Sequence, residues 1–173
     1  MPALEERMSS KATPPLLTPG QVIAKYQKSA PVDVIGIARE LGLNVWEMQS
    51  LPSSVSGKIF HDPLNGGPSG FSIAVNASEN PLRKRFTIAH EIAHFILHRD
   101  FLEKDDLVDD AMYRSGLSSA EETQANRLAA QILMPFPLIQ ALVDSGVKDV
   151  ATLANLFQVS QPAMKIRLGI PVT

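Results

Sequence analysis

The sequence predicts an α+β fold in which a small, mostly antiparallel sheet packs on helices and a helical extension follows. Three observations carry this expectation. Apolar residues recur at helical spacing before residue 42 and again after residue 80, three short runs between them have strand character, and residues 136 to 173 return to short helical patterns.

Taken in order, residues 1 to 17, with Pro14-Pro15 and mixed charge, read as a flexible arm. Thr18-Pro19 then caps and starts a helix running to about Lys28. Pro31 to Leu41 places Val34, Ile35, Ile37, Ala38 and Leu41 on a helical face, and Gly42 ends it. Leu43 to Met48, Gly57 to His61 and Gly70 to Asn76 are the strand candidates. Between the last two, Pro63-Leu64-Asn65-Gly66-Gly67-Pro68 reads as a hairpin connection. Its glycines do not mark a phosphate loop, because no helix N-terminus follows at suitable spacing. Two longer helices follow, one around Arg85 to His98 and one from Ser118 to Met134 that Pro135 stops. Beyond it lie Pro137 to Asp144, Asp149 to Gln158 and Gln161 to Leu168, broken by Gly146 and by Val159-Ser160; the last two look like a helix-turn-helix. The expected division is an arm at 1–17, a main domain at 18–135 and a C-terminal helical extension at 136–173.

The chemistry concentrates in Arg85-Phe86-Thr87-Ile88-Ala89-His90-Glu91-Ile92-Ala93-His94. On a helix, residues four apart lie on one stripe a turn apart, so His90 and His94 can direct two imidazole nitrogens at one cation. Glu91 flanks that stripe. Its carboxylate can reach an activated water without being a ligand, the place of a general base in a metallopeptidase. A purely structural helix would instead carry three polar groups among apolar neighbours, each needing a buried partner.

Such a site needs a third protein donor and an open position for water. The segment Ser118 to Met134 offers Glu122 and Asn126, four apart and on one face. Glu122 can bind the metal while the Asn126 amide accepts a hydrogen bond from the far nitrogen of a ligating histidine and so fixes its tautomer. Ala125, Ala129 and Ala130 are small enough to let the two helices approach closely. Glu121 is better placed to complement the helix dipole.

These residues carry a resemblance. The string from Arg85 through His98, followed by Glu122-Thr123-Gln124-Ala125-Asn126-Arg127-Leu128-Ala129-Ala130 and Ile132-Leu133-Met134-Pro135, resembles the ImmA/IrrE family of bacterial and phage metallopeptidases. Pro31 to Ala38, Leu41-Gly42-Leu43, Ser56-Gly57-Lys58-Ile59 and Ala74-Val75-Asn76 look like that family's leading helix and small sheet, so the resemblance covers roughly residues 31 to 170. It implies a zincin-like metallopeptidase with His90, His94 and Glu122 as metal ligands and Glu91 catalytic. It also implies a protein substrate, a transcription repressor with a helix-turn-helix domain, whose cleavage relieves repression of phage-like, mobile-element or stress genes. Leu128 stands where family members more often have Phe.

Other candidates carry weaker expectations. His98 lies about 12 Å along the axis from His90 and is turned about 80° from it, which excludes it from a site built on the first two histidines. It reads as a polar helix-terminal residue. His61 reads as a loop residue. Arg99 to Arg114 is rich in Asp and Glu and reads as a solvated surface segment. Within it, Tyr113 is a candidate stabiliser of the oxyanion formed in peptide hydrolysis. The strand Gly70 to Asn76 is a candidate sheet edge for an extended substrate.

Nitrogen and oxygen donors favour Zn2+, with another divalent cation such as Mn2+ as the alternative. A formal charge of −2 argues against wholesale nucleic-acid binding, and the helix Gln161 to Leu168 offers only Lys165 and Arg167 as cations, so direct DNA binding is not expected. The absence of cysteine excludes a thiolate metal site. Met1 to Arg7 lacks the apolar core of a signal peptide and no segment reaches membrane-spanning length, so a cytoplasmic location is expected. The rival readings are a non-catalytic metal-containing module that docks a repressor, and a DNA-binding regulator.

Overall fold

Capping chemistry sets where the helices begin, and proline sets several of their first turns. The computed structural model describes residues 16–104 and 118–172. In chain order the elements are α1 (Pro19–Tyr26), α2 (Val34–Glu40), β1 (Leu43–Met48), β2 (Gly57–His61), β3 (Phe71–Asn76), α3 (Pro81–Leu97), α4 (Arg99–Lys104), α5 (Ser119–Leu133), α6 (Phe136–Asp144), α7 (Val150–Phe157) and α8 (Gln161–Arg167). Thr18 and Gln21 form a capping box on α1, and Asn80 caps α3 ahead of Pro81. The second helix begins at Val34 rather than Pro31, because the Asp33 carboxylate accepts from the Gly36 N–H and so makes Asp33 the cap. Gly42, at φ +82°, turns the chain out of α2 into β1 in a conformation that disfavours any side chain.

The fold is α+β, with a mixed three-stranded sheet in the order β1-β3-β2. Strand direction alternates along the chain, but β3 inserts between its predecessors. It pairs antiparallel with β2, as a hairpin does, and parallel with β1. The expected antiparallel character therefore describes only one of the two pairings. The expectation of β3 as an edge is overturned: all six of its residues are buried and both of its edges are paired. Its unbroken run Phe71-Ser72-Ile73-Ala74-Val75-Asn76 is that of a strand covered on both faces. His61 ends β2 rather than lying in a loop, and its ring meets Phe71 edge-on at 5.4 Å.

Buried Asn76 finishes β3 and organises the approach to α3. Its amide donates to the carbonyls of Pro52 and Val55 at 3.1 and 3.0 Å, while its side-chain oxygen accepts from the Ser78 N–H and hydroxyl. Phe71 packs on Phe95 with ring centroids 5.7 Å apart, fixing α3 against the sheet. Lys84 of α3 pairs with Glu47 of β1 at 2.8 Å. At the other end, the Gln27 amide donates to the Gln131 and Ile132 carbonyls, satisfying acceptors that the end of α5 leaves open.

One cluster of buried apolar side chains runs from Val22 through Ile37, Ile73, Ile92 and Ile132 to Leu153, Phe157 and Met164. The C-terminal helices thus contribute to the same core as the sheet. Arg167 of α8 donates through Nε to the Met134 carbonyl at 2.8 Å and lies 3.9 Å from the Phe136 ring centroid. Burial lowers its pKa from the ordinary arginine value. The acidic stretch after His98 begins as helix α4, closed by an Arg99–Glu103 pair at 2.8 Å; its continuation, with Tyr113, lies outside the described residues. Among the described residues no helix is long and apolar enough to cross a membrane. Because Phe157 is fully buried, Phe157→Ala should destabilise the protein by about 3–5 kcal/mol, read as a lowered urea midpoint; an unchanged midpoint would place this helix outside the core.

Candidate metal centre

The site is built where α3 and α5 pack against each other, the most extensive packing between elements in the described residues. Ser118 caps α5 and Glu121 completes the capping box, leaving Glu122 in the first turn free to project toward α3. Ala125 and Ala129 are fully buried, so no bulky side chain holds the two helices apart. The helices run antiparallel: His90 meets Asn126, and His94, one turn further along α3, meets Glu122, one turn earlier on α5.

Three donors converge there. His90 Nε2 and His94 Nε2 are 2.9 Å apart, and the Glu122 carboxylate lies 3.3 Å from the first and 3.4 Å from the second. One donor atom from each of the three residues lies within 4.8 Å of both others, the spacing of a group that could hold a single cation. Side-chain exposure rises from 1% at His94 and 14% at His90 to 39% at Glu122, so the cluster is walled on one side and open on the other. The open side is where a water and a substrate carbonyl would have access.

The far side of each imidazole is also occupied. His90 Nδ1 is 3.0 Å from Asn126 Oδ1; the amide oxygen only accepts, so Nδ1 donates to it and Nε2 is left facing the cluster. The predicted role of Asn126 therefore has its geometry. His94 Nδ1 lies 3.0 Å from His98 Nδ1, and His98 Nε2 lies 3.3 Å from Gln124 Oε1. Since Gln124 Oε1 accepts, His98 Nε2–H donates to it. His98 Nδ1 then accepts from His94 Nδ1–H, and His94 Nε2 also faces the cluster. His98 is buried at the C-cap of α3, as its helix-end position suggested, but its ring orients His94, a part that sequence spacing alone did not show. The available signal was its spacing: eight from His90, which excludes it as a ligand, and four from His94, which suits a neighbour on the same stripe.

Two imidazole nitrogens and a carboxylate, pre-oriented by hydrogen bonds behind the rings, fit a borderline-soft divalent cation. Glu91 lies on α3 between the two histidines and is 1% exposed. Phe86 stacks beside His90 with centroids 6.4 Å apart. Of the site residues expected from sequence, His90, His94, Glu122 and Asn126 come together, Glu91 stands next to them, and Tyr113 is outside the described residues.

Comparison with known proteins bears on this centre. A stretch of 75 residues is 43% identical to the radiation response metalloprotease IrrE of Deinococcus radiodurans, covering 42% of this chain and 22% of that protein. A stretch of 79 residues is 40% identical to the protein of the same name from Deinococcus deserti, covering 44% of this chain and 27% of that one. The matched stretch thus spans about a quarter of the length of these relatives. A solved structure described as a Mycobacterium tuberculosis transcriptional regulator superposes with a TM-score of 0.57 at 20% identity, over 79% of this chain and 39% of that one, a likeness of fold. Residues 38–169, which include all three converging donors, match the model of the IrrE N-terminal-like domain, and the chain belongs to that peptidase M78 family.

Proposed function

We propose that this chain is a metal-dependent endopeptidase that hydrolyses a peptide bond in a partner protein, a helix-turn-helix transcription repressor, and so acts as a proteolytic regulatory switch. The convergence of His90, His94 and Glu122 beside Glu91 carries the reading. On it, residues 18–135 form a zincin-like peptidase domain and residues 136–173 a helix-turn-helix-like extension that packs rather than reads DNA, since Arg167 is committed to Met134 and Phe136. The protein would act in the cytoplasm, with Zn2+ as the ion its nitrogen and oxygen donors suit best. Membership of a peptidase family supports the reaction class, and the repressor substrate follows from the family resemblance.

The chemistry such a cation supplies is polarisation of the scissile carbonyl and a lowered pKa for an attacking water. The remaining steps belong to the chain. His90 and His94 are held with their Nε2 atoms forward by Asn126 and His98. Glu91 takes the proton of the attacking water and returns it to the leaving amine. Its burial keeps that transfer in a low-dielectric setting, where charge interactions are stronger than in water. The same burial is what favours the rival reading, a metal-containing docking module in which Glu91 is structural.

Single Ala substitutions at His90, His94 and Glu122 should each lower the metal retained after dialysis, because each removes one of three protein donors. His98→Ala leaves all three in place but releases the His94 ring, so it should keep one metal per chain at about 10–100-fold weaker affinity in a chelator competition. Full metal retention in Glu122→Ala would remove it from the ligand set.

Glu91→Gln preserves size and hydrogen bonding but cannot act as a base, so it should retain metal and partner binding while losing cleavage, with kcat down by about 100-fold or more. Incubation of zinc-loaded protein with a purified helix-turn-helix repressor, followed by mass spectrometry of the fragments, measures this. Undiminished cleavage by Glu91→Gln would refute its role as base, and absence of cleavage by both proteins would favour the docking module.

A further inference from the structure

Next to the donor cluster, a groove of about 960 Å³ runs along the seam of α3 and α5 and beneath α8. Its near end is Asn126, which holds His90, and Phe86, which stacks on it. Its walls are mainly apolar: Leu82 and Phe86 from α3, Ala130 from α5, Met134 beyond it, and Pro162 and Ile166 from α8. Ile166 is 70% exposed and Leu82 39%, apolar surface left facing solvent inside a concave site. Set into these walls are Arg83, Arg127 and Arg167, and no acidic side chain is among the described residues lining the groove.

We propose that this groove binds the substrate polypeptide on one side of the cleaved bond and selects a segment that is both apolar and acidic. The inference rests on the peptidase reading above and names the chemistry of its substrate. The groove's near end, where Asn126 and Phe86 both contact His90, identifies the occupant as the chain being cut. The arginines identify its charge: Arg127 follows Asn126 and lies nearest the donors, and Arg83 stands at the far end, whereas Arg167 is held by Met134 and Phe136. The apolar walls, with Phe86 the one aromatic ring among them, argue against a nucleic-acid strand, which requires stacking platforms along a cationic track. From Thr123 to Met134 the wall extends about 16 Å along α5, room for about five residues of extended chain. The preferred segment therefore carries a carboxylate close to the cleaved bond, where Arg127 meets it, and a second toward the far end, with apolar residues between them.

The test uses the zinc-loaded 173-residue chain and three fluorescein-labelled octapeptides: Gly-Leu-Glu-Val-Leu-Glu-Leu-Gly and its counterparts with Gln or Lys in place of both Glu. Anisotropy should show the Glu peptide binding about tenfold tighter than the Lys peptide. Arg127→Glu, at an exposed position, should erase that preference, and Ile166→Asp should weaken the Glu and Gln peptides together. The measurement is repeated on Glu91→Gln, which should bind the Glu peptide as wild type does. Binding without cleavage would then defeat the peptidase reading and leave the groove intact. Equal affinity for the three peptides, no effect of Arg127→Glu, or a concentration-dependent dimer dispersed by Ile166→Asp, which would mean that a second copy fills the groove, would each overturn the proposal.

Discussion

The antiparallel contact between α3 and α5 is the constraint on which the rest of the site depends, since neither helix carries a complete donor set. His90 and His94 come from one, Glu122 and Asn126 from the other, and the two groups meet only if the helices lie close and in one register. Closeness follows from Ala125 and Ala129, register from the capping box that fixes where α5 begins. A shift of one turn would carry Glu122 away from the two histidines it now faces together. The sheet enters as the support for α3, through the Phe71–Phe95 contact and the Lys84–Glu47 pair.

A second consequence is electrostatic. Glu91, His94 and His98 are all buried on α3, in a helix whose other buried residues are mostly apolar. Unpartnered, such groups would oppose folding; here the line from His94 through His98 to Gln124 turns two of them into a satisfied chain with a defined proton order. That chain ends on an exposed glutamine of α5, so the orientation of the most deeply buried donor is tied to the same helix that brings the carboxylate.

Much of this was legible in the residues. A period of four on an apolar helix placed His90, Glu91 and His94, and the same period placed Glu122 with Asn126 on a second helix. The three strands fall within one residue of their expected limits, because Gly and Pro bracket each apolar run. Strand order was not legible. A short continuous apolar run fits an edge or a centre until its neighbours are known, and β3 proved to be the centre. The role of His98 escaped for a related reason: spacing told what it could not bind, but its partner Gln124 is 26 residues away and reaches it only through packing. The groove is likewise a product of assembly, since its walls come from α3, α5 and α8 and none of them is concave alone.

The placement of β3 between β1 and β2 also bears on how the chain reaches this structure. Pairing position 61 with 71 closes a short loop, whereas pairing 43 with 71 closes one nearly three times longer, at an extra entropic cost of about 0.9 kcal/mol. The β2–β3 hairpin is thus the cheaper nucleus, and it already presents the Phe71 ring on which Phe95 of α3 rests. The parallel strand β1 can join afterward, bringing α2 with it. The histidine-bearing helix therefore has the Phe71 part of its platform before the sheet is complete, while its Lys84–Glu47 contact waits on the longer closure that brings in β1.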